Sequence, residues 1–173
     1  MKSITTNPTR GDIYDCLFGN YLPLDPSQPT GPFDKTAYDH RIPNEMRKRR
    51  PVVVLGERNN QLLVAPISST RDVHKKPHRT GEALGFHIKL TGNEIPDNGF
   101  YTIGVDRWVK ADLIQSVDVK RLREFRMPNG SHMTGQLSRQ TLAEVQLAVL
   151  RVLGFSIKIQ EVRSILFPIP QDQ

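Results

Sequence analysis

Two apolar runs joined by a short polar turn constrain the fold more than any other feature of this sequence. Residues 51–56 read PVVVLG and residues 61–67 read QLLVAPI, so both runs are rich in side chains that favour strands. Continuous apolar runs of this length are typical of strands that are buried on both faces. Residues 57–60 (ERNN) supply turn-forming side chains between the runs. The sequence therefore predicts a buried β-hairpin.

Further segments favour short strands on either side of this hairpin. Residues 10–18 begin at a turn and continue with aromatic and aliphatic side chains, which predicts the first strand. Residues 85–90 alternate apolar and polar side chains, and residues 100–103 follow a turn rich in Pro, Asn and Gly. These two segments predict a second strand pair. Residues 108–119 continue the extended pattern, interrupted by Asp112 and Asp118.

One clear helix is predicted near the C-terminus, over residues 138–153. Apolar residues recur at helical spacing at positions 142, 145, 149 and 152, and Gly154 follows as a stop signal. Thr141 and Glu144 have the spacing of a capping box, so a start nearer residue 141 is the alternative. Apolar residues 147, 148 and 150 widen the buried face, which leaves room for packing against a second subunit.

Short strands followed by a C-terminal helix predict an α+β fold built on a small β-barrel with a helical patch. The 173 residues are interpreted as one domain with a core at residues 9–154. Residues 19–49 lose periodicity and gain Pro, Asp, Ser and Thr, which predicts a long loop. Residues 155–173 form an extension whose pattern fits either a short strand or a short helix.

Charge and composition narrow the classes of function. The chain has 24 Lys and Arg against 18 Asp and Glu, a net charge of +6, which favours an anionic partner such as nucleic acid. The single cysteine, Cys16, excludes an internal disulfide and any multi-cysteine zinc site. The sequence contains neither a long apolar run nor a signal-like N-terminus, so we expect a cytoplasmic protein without a membrane span. Phosphate-binding and dinucleotide-binding glycine motifs are absent, which predicts no nucleotide cofactor.

Three local features carry side chains suited to chemistry. Arg50 precedes Pro51, which restricts it to an extended conformation and fits a guanidinium held for a phosphate. Ser68 opens a run of three hydroxyls at the end of a predicted strand, where hydroxyls either donate to a phosphoryl oxygen or form local turns. Lys110 and Asp112 would share one face if the chain is extended there, as a proton-transfer pair or as an ordinary ion pair.

Taken in order, these segments resemble the PemK/MazF family of toxins from type II toxin–antitoxin systems. The resemblance rests on the following motifs: RGDI at residues 10–13, RPVVV at 50–54, VAPISS at 64–69, KAD at 110–112, SVDVKRL at 116–122, and the C-terminal helix. It implies a small SH3-like β-barrel of the PemK/MazF/CcdB type that forms a homodimer. It also implies neutralisation by a cognate antitoxin protein.

The resemblance implies a metal-independent endoribonuclease without a cofactor. Such an enzyme cuts single-stranded RNA by attack of the 2′-hydroxyl, leaving a 2′,3′-cyclic phosphate and a 5′-hydroxyl. By the same resemblance, Arg50 holds the phosphate and Ser68 donates to a phosphoryl oxygen. Asp112 matches an aspartate that is proposed as the base in one branch of the family, and Lys110 stands where that branch has an arginine acid.

The active-site histidine of the same branch aligns with Asn44, which leaves its role open to the nearby His40. The sequence offers no partner for His87. The charge and the resemblance together assign these residues to RNA binding: His40, Asn44, Arg47, Lys48, Arg49, Ser69, Thr70, Lys75 and Lys76.

Two other functions fit the same sequence features. The first is a barrel toxin without catalysis that acts on a protein target such as DNA gyrase. The second is a nucleic-acid-binding module that tracks phosphates with basic residues such as Lys75, Lys76 and those of the segment 120–126.

Overall fold

A computed structural model of the protein describes residues 4–5, 7–18, 49–72 and 75–155. Within these residues, short strands precede one α-helix, in agreement with the predicted α+β class. The elements are β1 (Asp12–Leu17), β2 (Arg49–Arg58), β3 (Gln61–Ser68), β4 (His87–Lys89), β5 (Trp108–Lys110), β6 (Gln115–Asp118), β7 (Leu122–Arg123), β8 (Phe125–Arg126), β9 (His132–Met133), β10 (Gly135–Gln136) and α1 (Arg139–Val152).

The predicted hairpin is confirmed as β2 and β3. Its two-residue turn is formed by Asn59 and Asn60, whose φ angles of 53° and 61° are left-handed. Asparagine tolerates this conformation better than most residues, and two left-handed residues match the twist of adjoining strands. The register of the hairpin shifts between Val54 and Gly56, as at a β-bulge. The bulge bends β2 and increases its local twist.

The sheet is antiparallel and curls into half of a barrel. Its main path runs β10-β1-β2-β3-β5-β4, while β6 pairs with β3 and β7 pairs with β1. β3 pairs with β6 through Gln61–Val64 and with β5 through Ile67 and Ser68. A strand whose two halves pair with different neighbours carries the sheet around a corner. The C-terminal end of β3, with Ser68, therefore lies beside β5.

Both faces of the central strands are buried, as the continuous apolar runs predict. Ile13, Val53 and Ile67 belong to one core cluster, which also takes in Phe125 and Val145 of α1. The alternate residues of the same strands (Tyr14, Cys16, Val52, Val54, Leu62 and Val64) belong to a second cluster, which also includes Val117 of β6 and Leu122 of β7. Because successive side chains of a strand point to opposite faces, the sheet separates the two clusters.

The prediction that residues 85–90 pair with residues 100–103 is wrong. β4 pairs instead with β5, and residues 100–103 form turns. The side-chain oxygen of Asn98 accepts the backbone N–H groups of Phe100 and Tyr101 at 3.1 and 2.9 Å. Such local hydrogen bonds compete with strand pairing. Tyr101 is buried instead, with its ring edge-on to Phe125.

The predicted C-terminal helix is confirmed, and its N-cap is Ser138. The Ser138 hydroxyl accepts the backbone N–H of Thr141 at 3.0 Å, so the alternative start at residue 141 is wrong. Gly154 follows with a φ of +84°, as a C-terminal stop requires. Val145 and Ala148 are fully buried, and α1 packs on β4 and on the segment 111–113. The helix thus supports the elements that carry the site.

Two predicted segments lie largely outside the described residues. Residues 19–48 of the long loop and residues 156–173 of the extension are not described. Residue 49 already belongs to β2. Within the described part of the chain, no helix is long and apolar enough to span a membrane.

Candidate active site

Arg50 and Ser68 meet where β2 begins and β3 ends. The antiparallel register pairs Val52 with Pro66, which brings the first residues of β2 beside the last residues of β3. One guanidinium nitrogen of Arg50, Nη1, donates to the Ser68 Oγ at 3.3 Å. Both residues are half-buried. Side chains that the sequence places 18 positions apart therefore share one rim of the sheet.

The segment after β3 links this pair to a second group of polar side chains. The backbone N–H of Thr70 donates to Ser68 Oγ at 3.1 Å, which closes a tight turn. The carbonyl of Thr70 accepts a hydrogen bond of 2.9 Å from the Lys110 ammonium. Lys110 lies at the end of β5 with only 5% of its surface exposed. The backbone of Thr70 thus connects the Arg50–Ser68 pair to the buried Lys110.

Lys110 and Asp112 are joined through His87. The Lys110 Nζ lies 3.0 Å from His87 Nδ1, and His87 Nε2 lies 3.0 Å from Asp112 Oδ1. The expectation that residues 110 and 112 share a face of an extended strand is wrong, because Ala111–Leu113 forms a 3-10 helix. His87 of β4 instead lies directly opposite Lys110 of β5 in the register of this strand pair.

Sequence reasoning missed His87 because it paired β4 with the wrong segment. The signal that identifies the residue is the β4–β5 register, which sets His87 opposite Lys110. Directly opposed residues of adjacent strands have Cβ atoms about 5 Å apart, so their side chains interact. A prediction that paired residues 87–89 with residues 108–110 would have placed His87 in the site.

The protonation of Lys110 and Asp112 is shifted by burial and by their neighbours. Burial lowers the pKa of Lys110, although the carboxylates of Asp72 and Asp112 act in the opposite direction. Burial acts to raise the pKa of Asp112, but the hydrogen bonds to its carboxylate, that of His87 first, and the positive charge nearby, including that of Lys110, outweigh it, so that this pKa is lowered. Asp112 is therefore a carboxylate at neutral pH, and Lys110 releases its proton more readily than an exposed lysine.

A cleft of about 460 Å³ opens beside this group. Its wall includes Trp108, and the guanidinium of Arg71 lies 4.9 Å from the centre of that ring. Arg71 and Lys89 both bind Asp106, at 2.7 and 3.0 Å. The cleft is lined by Arg71, Asp72, Lys75, Pro77, Thr80, Glu82, His87, Lys89, Trp108 and Lys110.

The remaining predicted RNA-binding residues lie in different surroundings. Arg49 binds the buried carboxylate of Asp15 and leaves about half of its side chain exposed. Lys75 pairs with Asp72 at 3.2 Å. Ser69 is exposed and directly follows Ser68 in the chain. Lys76 is also exposed and stands in the chain between Lys75 and Pro77, which line the cleft. His40, Asn44, Arg47 and Lys48 lie outside the described residues.

The described residues also bear on metal binding. Within residues 4–5, 7–18, 49–72 and 75–155, no three His, Cys, Asp or Glu side chains are grouped so as to hold a metal ion. The site consists of two cations, a hydroxyl, an imidazole and a carboxylate.

Comparison of the whole chain with known proteins identifies a family and three similar proteins. The family of PemK-like, MazF-like toxins of type II toxin–antitoxin systems matches residues 35–153. The uncharacterized protein YifN of Escherichia coli (strain K12) is 38% identical over 154 residues, which are 88% of this chain and 95% of that protein. An uncharacterized protein of Haemophilus influenzae (strain ATCC 51907 / DSM 11121 / KW20 / Rd) is 36% identical over 152 residues, 86% of this chain and 92% of that protein. The Mycobacterium tuberculosis toxin MazF-mt6 aligns with a TM-score of 0.42 and 18% identity, covering 62% of this chain and 88% of that one.

Proposed function

Because the chain belongs to the family of PemK-like, MazF-like toxins of type II toxin–antitoxin systems, we propose that it is an endoribonuclease that cuts single-stranded RNA without a metal ion. The observation that carries this proposal is the hydrogen-bonded network that runs from Arg50 and Ser68 through Thr70 to Lys110, His87 and Asp112. Cleavage by the RNA's own 2′-hydroxyl needs a phosphate clamp, a base and an acid. The network contains one candidate for each task.

Arg50 and Ser68 are suited to hold the scissile phosphate. A guanidinium presents parallel N–H groups that match two oxygens of a phosphate, and a hydroxyl adds a third donor. The phosphorane that forms during attack carries more negative charge than the diester, so these donors bind it more strongly. The 3.3 Å contact between the two side chains sets both donors at one point of the rim.

Asp112 and Lys110 are suited to move the protons of the reaction. The Asp112 carboxylate takes the proton of the 2′-hydroxyl while the 2′-oxygen forms its bond to phosphorus. The bond from phosphorus to the 5′-oxygen breaks, and the Lys110 ammonium protonates that oxygen. The products are a 2′,3′-cyclic phosphate and a 5′-hydroxyl. The lowered pKa of Lys110 supports its role as the acid, because its proton is lost more easily than that of an exposed lysine.

The partners follow from the family and from the charge. A type II toxin is held inactive by an antitoxin protein, and a net charge of +6 suits a partner with an acidic segment. The proposed active form of the protein is a homodimer. Co-expression with the protein encoded by the neighbouring gene should then relieve the growth arrest that the toxin causes.

The decisive experiment compares Arg50→Ala with Arg58→Ala in a cleavage assay. Both arginines belong to β2, but Arg58 lies at its opposite end, roughly 25 Å away at about 3.3 Å per residue. Purified wild-type protein should cut single-stranded RNA in the presence of EDTA and leave cyclic-phosphate ends. Arg50→Ala should lower the cleavage rate by about 10²–10⁴-fold, the usual cost of losing one transition-state contact of this type. Arg58→Ala should cut like the wild type.

Other results would point to the rival functions. Full cleavage by Arg50→Ala, or cleavage that stops with EDTA, would overturn the mechanism. Toxicity that survives Arg50→Ala without any RNA cleavage would favour a toxin that acts on a protein target. RNA binding without cleavage by the wild type would favour a nucleic-acid-binding module.

A further inference from the structure

The side chain of His87 contacts both Lys110 and Asp112. It lies in β4 opposite Lys110, and the next backbone contact, from Ala111 N–H to the carbonyl of Phe86 at 2.9 Å, continues the pairing past the strand end. The imidazole is 7% exposed. Backbone pairing therefore fixes the ring between the two groups.

The direction of these hydrogen bonds follows from their chemistry. An ammonium has donors only, and Lys110 donates a further hydrogen bond to the Thr70 carbonyl. His87 Nδ1 must therefore accept from Lys110. A neutral imidazole then carries its proton on Nε2, which donates to the Asp112 carboxylate. This tautomer holds Lys110 as a proton donor and Asp112 as a proton acceptor.

Gly81 holds the imidazole in place from the other side. A Cβ atom at Gly81 would lie 2.1 Å from His87 Cε1, so that only glycine fits against the ring. The Gly81 carbonyl accepts the backbone N–H of Phe86 at 2.7 Å and that of His87 at 3.0 Å. The Gly81 N–H donates to Asp72 Oδ2 at 2.8 Å. The turn around Gly81 thus fixes both the backbone and the ring of His87.

We propose that His87 is a positioning residue that aligns Lys110 and Asp112 and that switches the site off when the ring takes up a second proton. The proposal rests on the proposed function, since it concerns the two groups that move protons there. A doubly protonated ring directs Nδ1–H at the Lys110 ammonium, donor against donor. The carboxylate oxygen Oδ2 of Asp72, which is an acceptor, lies 3.9 Å from Nδ1.

Several charged groups surround the ring and act on this switch. Asp112 Oδ1 lies 3.0 Å from His87 Nε2, and the Lys110 Nζ and Asp72 Oδ2 lie 3.0 and 3.9 Å from His87 Nδ1. The pKa of Asp112 is lowered, so loss of its charge lies at more acidic pH than that of an ordinary carboxyl group. Besides Asp72 and Lys110, the charged side chains that line the adjoining cleft are Arg71, Lys75, Glu82 and Lys89.

The test measures kcat and KM for RNA cleavage across pH in His87→Gln and His87→Asn. An asparagine amide can replace the contact at Nδ1, and a glutamine amide the contact at Nε2, so each variant keeps about half of the link. We expect kcat to fall by about 10- to 100-fold in both, because misalignment by about 1 Å costs this much. KM should stay unchanged, and the loss of activity towards acidic pH should move or vanish in His87→Gln.

A second pair of variants moves the ring without changing its chemistry. Gly81→Ala should displace the imidazole and lower kcat in the same way. Gly56→Ala is the matched control, because no atom lies within 4 Å of the added Cβ there and the backbone is not left-handed. Wild-type kcat in Gly81→Ala, or the wild-type acid limb in His87→Gln, would overturn the inference.

A spectroscopic measurement separates this inference from the proposed function. Long-range proton–nitrogen spectra of the wild-type protein, with His87→Gln to identify the signal, should show His87 protonated on Nε2 alone. A ring protonated on Nδ1 would overturn the inference even if RNA is cut. Wild-type protein that cuts no RNA would overturn the proposed function and the role of His87 in it, while the spectrum would still decide the hydrogen-bonded link.

Discussion

At the scale of the residue, the buried carboxylate of Asp15 determines how β2 begins. Asp15 is fully buried in β1 and binds Arg49, the first residue of β2. The hydroxyl of Tyr101 donates to its other oxygen at 3.1 Å. Arg50 follows directly, with its side chain on the Ser68 side. Asp15 thus anchors the residue that precedes the proposed phosphate clamp.

The burial of Asp15 predicts how the stability of the protein depends on pH. Burial raises the pKa of Asp15 above its ordinary 3.8, and the charge of Arg49 only partly offsets this. Above pH 3.8 the unfolded chain loses its proton first, so the folded state binds more protons there and its stability falls as the pH rises. The Asp15→Asn variant lacks this effect. The unfolding free energy of the wild type minus that of Asp15→Asn should therefore decrease with pH.

Urea unfolding of both proteins between about pH 4 and about pH 8 measures this difference. Each unit of pKa shift corresponds to about 1.4 kcal/mol. The subtraction removes carboxyl groups common to both proteins, such as Asp72 and Glu94, whose lowered pKa values act in the opposite direction. A difference that is constant with pH would contradict the raised pKa.

The sequence could predict that Arg50 and Ser68 stand at strand ends, but it could not predict the contacts of His87, for a reason that lies in their local signals. Pro51 marks the start of a strand, and a hydroxyl run after apolar residues marks the end of one, so both positions are visible in the chain. His87 contacts Lys110, 23 residues away, through a register that no local pattern encodes. Long-range pairing of a three-residue strand is the part that sequence reasoning lacked.

At the scale of the element, strongly patterned segments were predictable and short ones were not. The hairpin of β2 and β3 and the helix α1 carry long apolar patterns with clear ends. Residues 100–103 have the composition of a strand, but Asn98 and the left-handed Gly99 and Gly104 fold them into turns. Local hydrogen bonds decide the conformation where the pattern spans only a few residues.

The N-cap of α1 is open to a direct test. The Ser138 hydroxyl satisfies a backbone N–H that would otherwise lack a partner at the helix start, so Ser138→Ala should lower the unfolding free energy by about 1 kcal/mol. Ser138→Asp should keep most of that stability, because aspartate caps equally well and favours the positive end of the helix dipole. Urea unfolding measures both. Equal stability of Ser138→Ala and the wild type would contradict the assigned cap.

At the scale of the whole molecule, the net charge of +6 combines cations with different tasks. Arg49 and Lys110 are bound within the protein, and Arg71 and Lys89 share Asp106. Lys76 is exposed and directly follows the cleft residue Lys75 in the chain. It is suited to binding an RNA phosphate. Composition alone could predict an anionic partner, but only the contacts distinguish the cations that are paired within the protein from those that we propose for RNA binding.

The cations proposed for RNA binding can be counted from the dependence of binding on salt concentration. Each phosphate contact to a single strand contributes about −0.7 to the slope of log binding constant against log salt concentration. For a 2′-O-methylated RNA, which cannot be cut, Lys76→Gln should weaken binding and make the slope shallower by about 0.7. Arg58→Gln removes the same charge at the far end of β2 and should leave the slope unchanged. Equal slopes for Lys76→Gln and the wild type would exclude Lys76 from the RNA-binding surface, and equal changes in both variants would mean that the RNA responds to net charge alone.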